Sequence, residues 1–109
     1  ISSCASYYYS TNLNNISIGW SKQQFLQYFP ASSSQGLTTQ PPVLRAAQQQ
    51  RDGQLVEVFT ISLYEQDSSV VEYWFVFEGG HLVQWGRPED WRAVSARYEI
   101  SFNPGPSVQ

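Results

Sequence analysis

The sequence predicts an α+β fold: an N-terminal short helix packed on a four-stranded antiparallel meander sheet, with a short C-terminal helix or strand. Two apolar runs surround a Gly79-Gly80 turn in residues 70–86 (VVEYWFVFEGGHLVQWG), which is typical of a β-hairpin. A helix-start signal lies at residues 20–25, well before that hairpin. Turn signals at residues 51–53 and 66–69 separate further apolar runs. Connections this short join antiparallel neighbours.

The first run of the hairpin has the period-2 alternation of a strand. Tyr73, Phe75 and Phe77 point to one side of it, and Trp74 and Val76 point to the other. The first three form the more continuous apolar row, so we assign them to the core.

The helix is predicted from its capping residues. Ser21 is a good N-cap, and Gln24 three residues later completes a capping box. Trp20 before the cap and Phe25 at the fourth helical position suit a hydrophobic staple. The helix then covers 22–29 and ends at Pro30. Since two turns of helix are unstable alone, it must dock on the sheet.

The remaining segments follow in order. Residues 31–42 (ASSSQGLTTQPP) have the composition of a loop, and strands are predicted at 43–50 and 55–64. Pro88, Glu89 and Asp90 favour a helix near 88–95, followed by an extended segment at 97–102. A strand in which Tyr98, Ile100 and Phe102 alternate is the competing interpretation. One α+β domain would thus span 19–102, with a disordered tail at 103–109.

The composition limits the partners. The chain has 109 residues, a net charge of −3 and six scattered basic residues, a pattern that argues against nucleic acid, which needs clustered lysine and arginine. No apolar run approaches the length of a membrane-spanning helix.

Cys4 is the one cysteine, so no internal disulfide can form. The residues Ile1-Ser2-Ser3-Cys4 fit the end of a bacterial lipoprotein signal: an aliphatic residue, two small residues and then cysteine. Cys4 is therefore our candidate lipidation site and a membrane anchor, and residues 1–18 form a lipobox remnant and tether. The alternative is a stray cysteine in a disordered leader. One or two of Tyr7, Tyr8 and Tyr9 are expected to cover the edge of the core.

No catalytic set can be assembled, so we expect no enzyme, no metal and no cofactor. His81 is the one histidine and flanks the glycine turn, where an exposed histidine is the ordinary interpretation. Glu72 and Glu78 share a strand side, but such spacing is typical of a solvated face.

The predicted partner-binding residues lie on the sheet face opposite the core row. They are Trp74 with Val58 and Tyr64 of the neighbouring strand. An exposed tryptophan among charges is typical of an interaction hot spot. The alternative is that residues 91–102 fold back over this face and make Trp74 a second core residue.

Residues 19–26 (GWSKQQFL) and 75–82 (FVFEGGHL) resemble motifs of the SmpA/OmlA family, the BamE-like small outer-membrane lipoproteins. The resemblance implies a lipidated Cys4, a tether, the helix and an antiparallel sheet on the periplasmic side of the outer membrane. It also implies binding of an envelope protein partner in outer-membrane assembly. The layout suits β-lactamase-inhibitor-protein-like modules as well. A small-molecule-binding or enzyme-subunit domain, with a cleft between helix and sheet, is the alternative function.

Overall fold

The computed structural model describes residues 4–6, 8–30, 32–34, 37–39, 41–67, 69–100 and 102–104, with 4–6, 32–34 and 37–39 described for their backbone alone. The predicted α+β class is confirmed. The main sheet is mixed and has five strands, however, whereas the sequence predicted four antiparallel ones.

The strands are β1 (Cys4–Ser6), β2 (Tyr8–Tyr9), β3 (Ser32–Ser34), β4 (Leu37–Thr39), β5 (Val43–Gln49), β6 (Leu55–Tyr64), β7 (Val70–Glu78) and β8 (His81–Gly86). The α-helices are α1 (Lys22–Tyr28) and α2 (Trp91–Tyr98). Two 3₁₀ helices cover Ser10–Asn15 and Pro88–Asp90.

Strand β6 is central to the main sheet. On one side it pairs antiparallel with β7, which pairs with β8. Its other side is shared, because β5 pairs antiparallel with the first half of β6 and β2 pairs parallel with its end. The parallel pairing places Tyr8 opposite Leu63 and Tyr9 opposite Tyr64. The extra strand is what makes the sheet mixed.

A second, three-stranded sheet has the order β1-β4-β3, with β1 parallel to β4. Two of its strands lie within residues 31–42, so the loop prediction is wrong for Ser32–Ser34 and Leu37–Thr39. Loop-like composition does not exclude strands when backbone partners are available from a distant segment.

One face of the main sheet, the α1 face, packs against helix α1. Phe25 and Phe29 of the helix are fully buried, and the Phe25 ring contacts the rings of Phe59, Phe75 and Phe77. The predicted core row of Tyr73, Phe75 and Phe77 belongs to this cluster.

The same core includes residues that the sequence assigned to a tether. Leu13 and Ile16 are buried in the α1-face cluster, and Tyr8 packs on Phe29 with ring centroids 5.0 Å apart. The tether prediction is therefore wrong for residues 8–16. Two apolar side chains three positions apart suffice to dock a short 3₁₀ turn.

The opposite face, the α2 face, is covered by helix α2. Trp91, Val94 and Tyr98 of the helix pack with Val56, Val58, Trp74 and Val76. Because the helix continues to Tyr98, the predicted extended segment at 97–102 is wrong at its start, and so is the competing strand. Of the predicted tail, Pro104 is buried, and residues 105–109 lie outside the described part of the chain.

Local sequence signals account for the start of α1. Ser21 Oγ accepts a hydrogen bond from the Gln24 amide at 3.1 Å, and Gln24 Oε1 accepts one from the Ser21 amide at 2.9 Å. The predicted capping box is thus confirmed. The ring of Trp20 packs edge-on against the ring of Tyr28, with centroids 5.5 Å apart. Lys22 Nζ donates to both carboxylate oxygens of buried Glu57 at 3.1 Å, which ties the helix to β6.

Candidate functional site

The predicted hot-spot residues are brought together, but mostly in the interior. The register pairs Val58 with Val76, Thr60 with Trp74, and Tyr64 with Val70, so the predicted residues share one face. Trp74 is 1% exposed and Val58 is fully buried. The prediction that both bind a partner is therefore wrong, and the physical reason is that α2 covers them.

Two specific bonds hold this cover. Trp74 Nε1 donates to the backbone carbonyl of Arg87 at 2.6 Å, and Trp91 Nε1 donates to that of Phe102 at 2.8 Å. The two indole rings lie 5.3 Å apart. Each buried indole N–H thus has its acceptor, as a stable interior requires.

Tyr64 has a different surrounding, because α2 does not extend over that end of the face. It is half-buried, and its ring lies 5.6 Å from the ring of Tyr9, which is 61% exposed. On the same face Arg45 reaches across three strands: it donates to Thr60 Oγ1 at 2.9 Å and to Glu72 Oε2 at 2.7 Å. This network covers the part of the face that α2 leaves open.

A second polar cluster lies where β7 leaves the turn. Tyr73 donates through its hydroxyl to Glu65, and Arg87 donates to Glu65, to the Tyr73 hydroxyl and to Glu89. Burial and the Glu65 carboxylate raise the pKa of Tyr73 to about 12. The pKa of Glu89 is lowered by backbone hydrogen bonding and by Arg87. Both shifts favour the ordinary protonation states, a neutral Tyr73 phenol and an ionised Glu89 carboxylate. The hydrogen bonds of Glu65 to Tyr73 and Arg87 hold the turn against the sheet.

The predicted cleft between helix and sheet is filled on the α1 side by Phe25 and Phe29. An open surface groove of about 600 Å³ lies instead between β8 and α2, where Gln84, Trp85 and Asp90 contribute to its lining. Among the described residues no group of histidine, cysteine or carboxylate side chains could hold a metal ion. Within the same residues, no helix has the length and apolar character of a bilayer span.

The two edges of the main sheet differ. Residues 19–22 run along the outer side of β8: the Gly19 amide donates to the Leu82 carbonyl at 2.7 Å, and the Leu82 amide donates to the Trp20 carbonyl at 2.8 Å. The Lys22 amide donates to the Gly80 carbonyl at 2.8 Å. This segment occupies the start of the β8 edge, at residues 80–82.

Strand β5 forms the other edge. In the described part of the chain it pairs with β6 alone, and six of its seven residues are exposed. Val43 and Leu44 are 47% and 49% exposed, and Leu55 at the start of the neighbouring strand is 43% exposed. These three side chains are half of the large apolar side chains exposed in the described structure.

Sequence reasoning predicted the β5 strand but did not predict that it is an open edge. Two signals pointed to it. The sequence Val-Leu-Arg-Ala-Ala-Gln-Gln lacks the period-2 alternation of a half-buried strand, and Pro41-Pro42 precede it directly. Proline in or beside a strand is typical of an edge, because it cannot donate to a ladder. The open edge, with Val43, Leu44 and Leu55, is our candidate functional site.

No protein-family model, curated protein or solved structure matches this chain.

Proposed function

We propose that this chain is a lipid-anchored protein of the bacterial cell envelope that acts by binding another protein. The observation that carries the binding role is the open β5 edge with its exposed apolar side chains. Both faces of the main sheet pack against helices, so this edge is the exposed apolar feature that we assign to a partner. Val43 and Leu44 are adjacent at one end of the edge, and Leu55 lies opposite Gln49 at the other end. Exposed apolar patches are typical of interaction surfaces.

The anchor is proposed from the lipobox-like residues that end in Cys4. The backbone of Cys4–Ser6 already forms β1, and Tyr8 is part of the main sheet. A lipid on Cys4 would therefore hold the domain close to the bilayer, without a long flexible spacer. The side chain of Cys4 lies outside the described part of the structure.

The resemblance to BamE-like lipoproteins supplies a more specific form of the proposal. It implies a position on the periplasmic side of the outer membrane and a partner in outer-membrane assembly. The helix opening at residues 19–26 and the β7–β8 hairpin are the segments that support it.

The anchor is tested by fractionating native cells that produce Cys4→Ala, with Ser6→Ala as the matched control. We expect Cys4→Ala to move the protein from the membrane to the soluble fraction, while Ser6→Ala stays with the membrane. Membrane retention of Cys4→Ala would contradict the anchor.

The binding role is tested by purifying the full-length protein from its native membranes and identifying co-purified proteins by mass spectrometry. We expect an envelope protein in stoichiometric amount, and a component of outer-membrane assembly if the specific form holds. Recovery of nothing above a mock purification would contradict the binding role.

A further inference from the structure

We infer that the β5 edge binds its partner by strand addition, taking up an extended, uncharged segment of about seven residues. This inference rests on the proposed binding role and names the chemistry of the partner. In strand addition the main chain of the partner supplies the hydrogen bonds, and pockets along the edge select its side chains.

The two edges of the main sheet are paired to different extents. Residues 19–22 bond to Gly80 and Leu82 at the start of β8, whereas no described strand or segment bonds to the outer side of β5. About half of the N–H and C=O groups of an edge strand point away from its neighbour. Seven residues give an edge of about 23 Å. That length sets the size of the segment that can pair with it.

Strand β5 has little protective charge. Exposed edges are defended by charges, proline, β-bulges or short length, and of these β5 has the two prolines before it and one irregularity. Arg45 is the one charged residue of β5, and Glu72 neutralises it at 2.7 Å. A register shift between Leu44 and Ala46 interrupts the pairing with β6 locally, but residues 46–49 pair with β6 in regular register. A segment without net charge complements such an edge, because an unpaired charge there would find no counterion.

Apolar side chains are exposed on both sides of strand β5. Val43 pairs with Thr60 and so lies on the α2 side, while Leu44 pairs with Phe59 and lies on the α1 side. A partner resting on one face of the sheet could cover only one of them. A strand added at the edge lies beside both, since its side chains alternate between the faces.

The experiment places a photo-crosslinking residue, benzoylphenylalanine, at single positions of the full chain in native cells. Two positions lie on β5: Ala47, which pairs with Glu57, and Gln48, which pairs with Val56, so they point to opposite faces. Both are exposed. The control positions are Gln27 on α1 and Arg92 on α2, which are exposed as well.

We expect the probes at 47 and 48 both to crosslink one short uncharged segment of one partner, at residues one position apart. Crosslinks from only one of them, or from the control positions alone, would overturn strand addition and leave the binding role standing. No crosslink at any position would overturn both.

A charge-insertion variant provides a second measurement. The Val43→Lys and Leu44→Lys double substitution should reduce the yield of crosslinked partner at least about tenfold, because lysines on an edge disfavour strand pairing. Ile18→Lys, at an exposed apolar residue away from the edge, should leave the yield unchanged. Equal yields from both variants would contradict the inference. If the double variant does not fold, the probes at 47 and 48 decide the question.

Discussion

The indole of Trp74 fills the space that a side chain at position 86 would need. Gly86 pairs with Trp74 across β7 and β8, and a Cβ added at Gly86 would lie 2.6 Å from Cζ2 of the indole. Because α2 closes over the same ring, the indole cannot move away freely. We expect Gly86→Ala to lower the free energy of unfolding by about 1–3 kcal/mol in urea titrations, as overpacking does.

A double-mutant cycle tests the cause of that loss. In a Trp74→Leu background the contact is gone, so Gly86→Ala should cost markedly less than in the parent chain. Equal costs in the two backgrounds would show that the glycine is needed for some other reason.

Because Trp74 is buried, we expect its fluorescence to be protected from quenching. In a variant whose Trp20, Trp85 and Trp91 are replaced by phenylalanine, acrylamide should quench the remaining indole only weakly in the folded state. Urea-unfolded protein serves as the quenchable control. Strong quenching before unfolding would mean that α2 does not cover the face.

Glu99 ends helix α2 in the left-handed conformation, with φ of 55°. Glycine takes this conformation without strain, so Glu99→Gly should raise the free energy of unfolding by about 1 kcal/mol. Glu99→Ala removes the same charge but keeps the strain, and should give no comparable gain. A gain of equal size from both variants would assign the effect to charge.

The raised pKa of Tyr73 predicts that the protein loses stability at high pH. Its pKa is raised to about 12 in the folded protein, first by burial and then by Glu65, whereas an unperturbed tyrosine has a pKa of about 10. The unfolded chain therefore releases this proton at lower pH. The free energy of unfolding should be unaffected by this group below pH 10 and fall as the pH rises towards 12.

The matched variant for that measurement is Tyr73→Phe, which lacks the titrating hydroxyl. Its stability between pH 10 and 12 should fall less steeply than that of the parent, although other buried tyrosines such as Tyr98 still contribute. Parallel curves for the two proteins would contradict the assignment.

Several local features could be predicted because neighbouring residues determine them. Ser21 and Gln24 lie within one turn of each other, so their capping box is visible in the sequence. The positive φ of Gly79 and Gly80 is likewise a demand of a short turn. The alternation in β7 separates Trp74 from Phe75 whatever the rest of the chain does.

The features that failed depend on distant partners. The residues near Trp74 do not indicate that Val94 and Tyr98 will cover it. The apolar stripe of a helix predicts that the helix packs on a core, but not which sheet face it packs against. Leu13 and Ile16 lie in a polar, asparagine-rich stretch, and their burial follows from the core that the aromatic residues of α1 form with the sheet. The open β5 edge depends in turn on where residues 19–22 run.

The parallel pairing of β2 with β6 also has a kinetic consequence. Tyr8 meets Leu63 only after 55 residues of chain have been made (63 − 8 = 55), whereas the β6–β7 and β7–β8 hairpins close through short turns. Closing a long loop costs more conformational entropy than closing a short turn, so we expect the N-terminal segment to join the sheet after the hairpins have formed. Before it pairs, the N-terminal segment is exposed to solvent, and Lys22 is the one charged side chain in residues 1–44.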